Sequence, residues 1–148
     1  MGDRPSKSPA RHVSGACLCG AVRFEVNDPL ERVGHCHCSM CQRAHGAAFV
    51  TWAAVPKARV RITAGEVAMT RYRSSAAGTR AFCSICGSSL FCWHEANPGI
   101  IDIAVASLAP GHGAVPRAHS FWDDRVEWTA PAADGLPRFG GESGTEPR

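Results

Sequence analysis

Short runs of alternating apolar and polar side chains recur along the middle of the chain. Val22, Phe24 and Val26 are interleaved with Arg23 and Glu25, and Val60 and Ile62 with Arg59 and Arg61. A period of two sends successive side chains to opposite faces, so each run predicts a half-buried strand. Residues 49–55, 67–73, 88–93 and 100–108 are further strand candidates. Asn27-Asp28-Pro29, Ala64-Gly65, Gly78 and Asn97-Pro98-Gly99 supply turns between them. Only residues 39–45 fit a helical turn, with Ser39 as N-cap and Gly46 as terminator. The predicted fold class is mainly β, a small domain of short antiparallel strands.

Residues 1–11 and 140–148 are rich in Gly, Pro, Ser and charge and offer little to bury, so they are expected as disordered tails around a single domain of residues 12–139. A chain of 148 residues has room for one such domain. Hydrophobic residues at 45% and charged residues at 20% match ordinary globular usage and exclude a disordered or collagen-like chain. No stretch approaches the roughly 20 apolar residues that cross a bilayer. The segment MGDRPSKSPARH is polar throughout, so a reducing, cytoplasmic location is expected and no membrane partner.

Eight cysteines change this picture of an ordinary β domain. Seven fall in three tight groups: Cys17 and Cys19, then Cys36, Cys38 and Cys41, then Cys83 and Cys86, with Cys92 alone. Reduced cysteines at such spacings are metal ligands before they are disulfides. A two-residue spacer on a tight turn brings two sulfurs to one zinc ion, and Cys83-x-x-Cys86-Gly87 is such a knuckle. Cys17-x-Cys19 is a second half-site if alternate strand residues lean together. A glycine follows the second cysteine in both, at Gly20 and Gly87, where a sharp turn lets amide N–H groups point at sulfur. Cys17, Cys19, Cys83 and Cys86 together would close a four-thiolate structural zinc site, although either half could instead share metal with the middle group.

Cys36, Cys38 and Cys41 are close enough in sequence to bind one ion together. Three ligands leave a fourth position for substrate, the mark of a catalytic rather than a structural zinc. Supply of that fourth ligand by His35, His37, His45 or Cys92 would make a second inert cage. Three thiolates make zinc a weak Lewis acid, which disfavours plain hydrolysis and suits an incoming thiol that adds to a small electrophile such as an aldehyde. Counting the clustered cysteines as zinc thiolates also reduces the formal net charge of +3 to about zero. The basic balance therefore does not point to nucleic acid.

Three segments carry a resemblance: GACLCGAVRF at residues 15–24, HCHCSMCQRAHGAAF at 35–49 and RAFCSICGSSLF at 80–91. With Tyr72-Arg73-Ser74-Ser75 and Asp134-Gly135-Leu136-Pro137-Arg138-Phe139, they make the chain resemble the glutathione-dependent formaldehyde-activating enzyme family, also called the centromere protein V/GFA family, over residues 15–139. The resemblance implies a zinc-bound β-tent fold with two zinc ions, one structural on Cys17, Cys19, Cys83 and Cys86 and one catalytic on Cys36, Cys38 and Cys41. It implies a carbon–sulfur lyase resembling S-(hydroxymethyl)glutathione synthase, with glutathione or a similar small thiol as partner and formaldehyde or a related electrophile. Gln42 stands where many relatives have a basic residue, leaving Arg43 as the nearest cation.

His35, His37 and His45 are the candidates to move a proton, their unperturbed imidazole pKa being about 6.5. If the segment is extended, however, His35 and His37 point away from Cys36 and Cys38. Phe49, Trp52, Trp93, Trp122 and Trp128 are expected in the core, Cys92 as a buried thiol, and Asp123-Asp124 in a solvated turn. The alternative to an enzyme is a non-catalytic zinc-binding module for protein or nucleic-acid contact.

Overall fold

The computed structural model describes residues 11–130 and 133–148. Among these the chain passes through β1 (His12–Ala16), β2 (Arg23–Asn27), β3 (Arg32–Cys36), helix α1 (Ser39–His45), β4 (Val50–Pro56), β5 (Val60–Ala64), β6 (Met69–Arg73), β7 (Gly78–Cys83), β8 (Ser89–His94), β9 (Ile100–Ala104), β10 (His119–Ser120), β11 (Phe139–Gly140) and β12 (Glu146–Pro147). The fold is mainly β. A three-stranded sheet runs β1-β2-β5 and a seven-stranded sheet runs β10-β3-β4-β9-β8-β7-β6. All neighbours are antiparallel except β10, which pairs parallel with β3.

The alternation that predicts strands also assigns their faces. Phe24 and Val26 of the small sheet, with Val22 just ahead of β2, bury against Val55, Ala81, Phe91 and Ile103 of the large one. Phe24 and Phe91 meet edge to face with centroids 4.8 Å apart, a geometry that adds about 0.5–1.5 kcal/mol to their burial. Gly15 is the register partner of Phe24, and a Cβ there would lie 2.2 Å from the Phe24 ring. Only glycine lets the ring lie across β1.

The opposite face of the large sheet is not an apolar core. Its central strands present Arg32, Ala54, Asp102, Cys92 and Arg80, and these five are successive register partners across β3, β4, β9, β8 and β7. This row forms the floor of the cavity described below.

Several expectations need correction. Helix α1 is capped by Cys38, whose sulfur accepts the Cys41 N–H at 3.4 Å, rather than by Ser39. Gly46 does terminate it, in a left-handed conformation with φ 60°. Strand β9 ends at Ala104 and passes into a 3-10 turn over Val105–Ser107. Cys17 and Cys19 lie beyond the end of β1, so a turn rather than strand alternation brings them together. Residues 140–148, expected as a tail, form most of the β11–β12 hairpin. Asp123 holds it by accepting hydrogen bonds from Gly141 N–H at 2.7 Å and Arg148 Nε at 2.7 Å. Of the expected N-terminal tail, residues 1–10 lie outside the described residues.

Candidate functional site

Cys17, Cys19, Cys83 and Cys86 converge although 64 residues separate Cys19 from Cys83. The ligand atoms of all four lie within 4.8 Å of one another. Cys17 Sγ is 3.6 Å from Cys19 Sγ, which is 3.8 Å from Cys83 Sγ. A tetrahedral zinc with Zn–S bonds of about 2.3 Å requires sulfurs about 3.8 Å apart, so the spacing fits the ion. Gly20 and Gly87 both have φ 76°, and the turns they permit aim amides at sulfur: Val22 N–H donates to Cys17 Sγ at 3.3 Å. Cys86 is held down at about 5, chiefly by the Ser88 hydroxyl and backbone N–H.

The second group forms where β3 ends and α1 begins. Cys36 closes the strand, Cys38 caps the helix and Cys41 lies one turn in, so their ligand atoms come within 4.8 Å of one another. Among the described residues no fourth His, Cys, Asp or Glu joins these three. Trp52 Nε1–H donates to Cys41 Sγ at 3.4 Å and Arg80 Nη2 at 3.5 Å. Cys41 is held well below the usual thiol range by hydrogen bonds from Cys36 and Cys38, with Trp52 and Arg80 contributing against the cost of burial. Cys36 is correspondingly displaced upward by Cys38 and Cys41. Both cysteine groups are thus able to hold a metal ion.

The three thiols form one wall of an open cavity of about 540 Å³ whose floor is the cross-strand row of the large sheet. Arg32, Arg80 and Arg117 border it, with Asp102 and His94 among them. Burial raises the Asp102 pKa, while His94 and Arg32 oppose the rise. Burial of Arg80 works against its charge, yet the Cys41 sulfur beside it holds its pKa above the ordinary value. Cys92 lines the cavity as well, and burial pushes its thiol up to about 11.

The histidines expected to serve the site lie elsewhere. His35 and His37 turn to the other side of β3, where His37 Nε2 is 2.8 Å from His119 Nδ1 and His119 Nε2 is 2.9 Å from Asp134 Oδ2. Burial, His119, His35 and Arg125 lower the His37 pKa to about 4. His45 packs edge-on against Trp52 and lines a different cavity with Phe49 and His112. Arg43 does not line the cavity of Cys36, Cys38 and Cys41 but a separate one with Met40 and Tyr72, and the cation that reaches Cys41 is Arg80. Gln42 Nε2 donates to the carbonyls of His37 and Asp124, at 2.8 Å for the latter, so this position fastens α1 to its surroundings.

The aromatics divide in the same way. Trp122 is buried against His37 and His119, but Trp52 faces the cavity and Trp128 is 74% exposed. Phe49 is also exposed. The expectation of core fails for Phe49 and Trp128, which lie outside the strands, and holds in part for Trp52, which β4 packs against Cys38, Cys41 and Val50 while it also lines the cavity. The signal that could have found Arg32, Arg80 and Asp102 is their polar alternation opposite buried neighbours within β3, β7 and β9.

The model of the glutathione-dependent formaldehyde-activating enzyme family matches residues 12–124. A protein of Halomonas elongata named "putative glutathione-dependent formaldehyde-activating enzyme" is 25% identical over 123 residues, covering 78% of each chain. A crystal structure of a Rhodobacter sphaeroides protein superposes with a TM-score of 0.57 at 29% identity, covering 70% of this chain and 97% of that one. No helix among the described residues is long and apolar enough to cross a membrane. With both cysteine groups inside the matched region, the chain belongs to the glutathione-dependent formaldehyde-activating enzyme family.

Proposed function

We propose that the chain is a zinc-dependent carbon–sulfur lyase of the S-(hydroxymethyl)glutathione synthase kind, joining glutathione or a similar thiol to formaldehyde or a related small aldehyde, or running the reverse. The observation that carries this reading is the three-thiol group, without a fourth protein ligand among the described residues, at the wall of a cavity bordered by Arg32, Arg80 and Arg117. The same observation favours chemistry over a closed module for protein or nucleic-acid contact.

Cys36, Cys38 and Cys41 would hold the catalytic zinc, and Cys17, Cys19, Cys83 and Cys86 the structural one. When bound to three thiolates, zinc lowers the pKa of an incoming thiol while leaving its sulfur nucleophilic. The rest is performed by the chain. Arg32 and Arg117 attract the carboxylates of a peptide thiol and align it, and such positioning supplies much of the rate. Trp52 and Arg80 hold Cys41 in place and spread its charge.

In the forward direction the thiol loses its proton, its sulfur forms a bond to the carbonyl carbon, and the carbonyl oxygen takes up a proton to become the product hydroxyl. Asp102, raised by burial and close enough to His94 to be influenced by its charge, is the cavity group suited to carry that proton between the two atoms. The reverse reaction retraces these steps. Because the thiols must stay reduced to hold metal, a reducing compartment such as the cytoplasm accords with this role.

The test is two-dimensional exchange NMR with 13C-formaldehyde and glutathione in the presence of zinc-loaded protein. Faster exchange between free formaldehyde and the S-hydroxymethyl adduct is expected, and it should vanish with Cys38→Ser. Exchange at the uncatalysed rate with the unaltered protein, across glutathione and other small thiols, would overturn the reading.

A further inference from the structure

The face of β3 turned away from the thiols carries a second set of metal-ligating groups that the lyase reading does not use. His35 and His119 are direct register partners on parallel strands, so their imidazoles lie side by side with centroids 4.9 Å apart. Asp134, from the segment that leads to β11, closes the group. One ligand atom from each of His35, His119 and Asp134 lies within 4.8 Å of the other two.

Each of the three also has its other polar atom held by a protein partner. His35 Nδ1 is 2.9 Å from Thr51 Oγ1, His119 Nδ1 is 2.8 Å from His37 Nε2, and Asp134 Oδ1 accepts the Leu136 N–H at 3.1 Å. That leaves the second ring nitrogen of His35, together with His119 Nε2 and Asp134 Oδ2, which face each other, as the donors an ion would take. Outward atoms engaged in this way fix the tautomer and ring orientation of metal-bound histidines. Adjacent tetrahedral donors bound at roughly 2.1 Å lie about 3.4 Å apart, so His119 Nε2 and Asp134 Oδ2, now hydrogen-bonded at 2.9 Å, need to part by only about 0.5 Å to admit an ion.

We propose that His35, His119 and Asp134 form a third metal site, distinct from both cysteine groups, that takes a divalent first-row ion such as zinc through two imidazoles and one carboxylate. Two nitrogens and an oxygen suit zinc and its neighbours rather than calcium or magnesium, and they are harder donors than either thiol group. His119 is 2% exposed whereas Asp134 lies at the surface, so the ion reaches the site from the carboxylate side. Bound there, it ties the segment bearing Asp134 to β10 and to the strand that ends in Cys36.

Zinc-edge X-ray absorption on the full chain at saturating zinc tests this directly. Neither cysteine group contains a histidine, so imidazole scattering reports a histidine-bound ion alone. The unaltered protein is expected to show it, and Asp134→Asn and His35→Asn are each expected to lose it together with one equivalent of zinc by elemental analysis. Absence of imidazole scattering from the unaltered protein overturns the proposal, and that measurement needs no variant to fold. Persistence of the scattering and of the full zinc content in folded Asp134→Asn would also overturn it, by locating the ion on other histidines and leaving His119 and Asp134 as a simple hydrogen-bonded pair.

Discussion

Arg80 Nη2 lies 3.5 Å from Cys41 Sγ, setting a cation from β7 against a sulfur from helix α1. The guanidinium is half-buried and its pKa is held up by that sulfur, so the pair acts as a unit inside the cavity. Removal of a partner that orients a metal-binding group typically costs 10–100-fold in affinity or activity. Arg80→Ala is expected to reduce kcat/KM for thiol–formaldehyde exchange by about that factor and to weaken metal retention in a chelator competition. Arg80→Lys should recover only part of the loss, because a point charge does not reproduce the planar fork.

The two cysteine groups should respond differently to the same chemical change. Cys86→Ser opens a four-thiol group that joins the turn after β1 to the end of β7, and metal binding at such a site is itself folding free energy. Circular dichroism should show loss of cooperative thermal unfolding. Cys38→Ser alters a group confined to residues 36–41, and it should keep the near-native spectrum and melting transition while abolishing exchange activity. Equal loss of folding from both would mean that the second group is also a structural cage.

Gly65 offers a stability test remote from either group. Its φ is 73°, and an added Cβ would lie 1.8 Å from the Ala21 carbonyl oxygen, a backbone atom that cannot swing aside. Gly65→Ala is expected to destabilise the protein by about 2–4 kcal/mol. Gly46→Ala is the control: φ is 60° but nothing lies within 4 Å of the added atom, so only the left-handed backbone cost of about 1 kcal/mol applies. Urea denaturation of the pair would measure the difference.

Cys92 predicts an alkaline effect. Its folded pKa of about 11 exceeds the ordinary 9.0 because burial disfavours the thiolate. The native state therefore holds its proton more tightly than the unfolded chain does. The resulting contribution to stability is complete below pH 9 and is lost as pH rises through about 11. Comparing Cys92→Ala with the unaltered protein in urea melts from pH 8 to 11 should show a penalty that shrinks with rising pH. Alkylation of native Cys92 should stay slow until pH approaches the upper end of that range.

The ligand groups were legible in the sequence because coordination chemistry imposes spacing: pairs separated by one or two intervening residues and a trio within six residues constrain geometry before any fold is known. Helix α1 was legible from Gly46, although a sulfur cap at Cys38 could not be told from the Ser39 beside it. Three strands escaped. β1, β3 and β7 each contain a glycine, and in the first two it is there for contact, under the Phe24 ring at Gly15 and against the Ala118 carbonyl at Gly34. Glycine usually marks a break, so an internal one hides a strand whose neighbours need the space.

The cavity was less legible still. Arg80 is one of many arginines, and only the pairing of β7 with β8 and the packing of α1 place it beside Cys41. Asp102 is a single acid within the apolar residues 100–108, and only the pairing of β9 with β4 and β8 puts it on the cavity face. His119 and Asp134 acquire meaning only through partners far away in the chain, which no local pattern encodes. The double role of Trp52, packed on Cys41 and open to the cavity, is hidden for a related reason, since alternation separates two faces without saying which of them is dry.

Strand β3 carries sulfur at Cys36 on one side and imidazole at His35 on the other, so its alignment against β4 is a chemical specification as well as a mechanical one. Inserting a single residue upstream within that strand would transpose the two kinds of donor, leaving nitrogen toward Trp52 and thiol toward Thr51. Insertion of two would restore sidedness while shifting the donors along the strand axis. Odd and even insertions should therefore have opposite consequences for the protein's metal inventory.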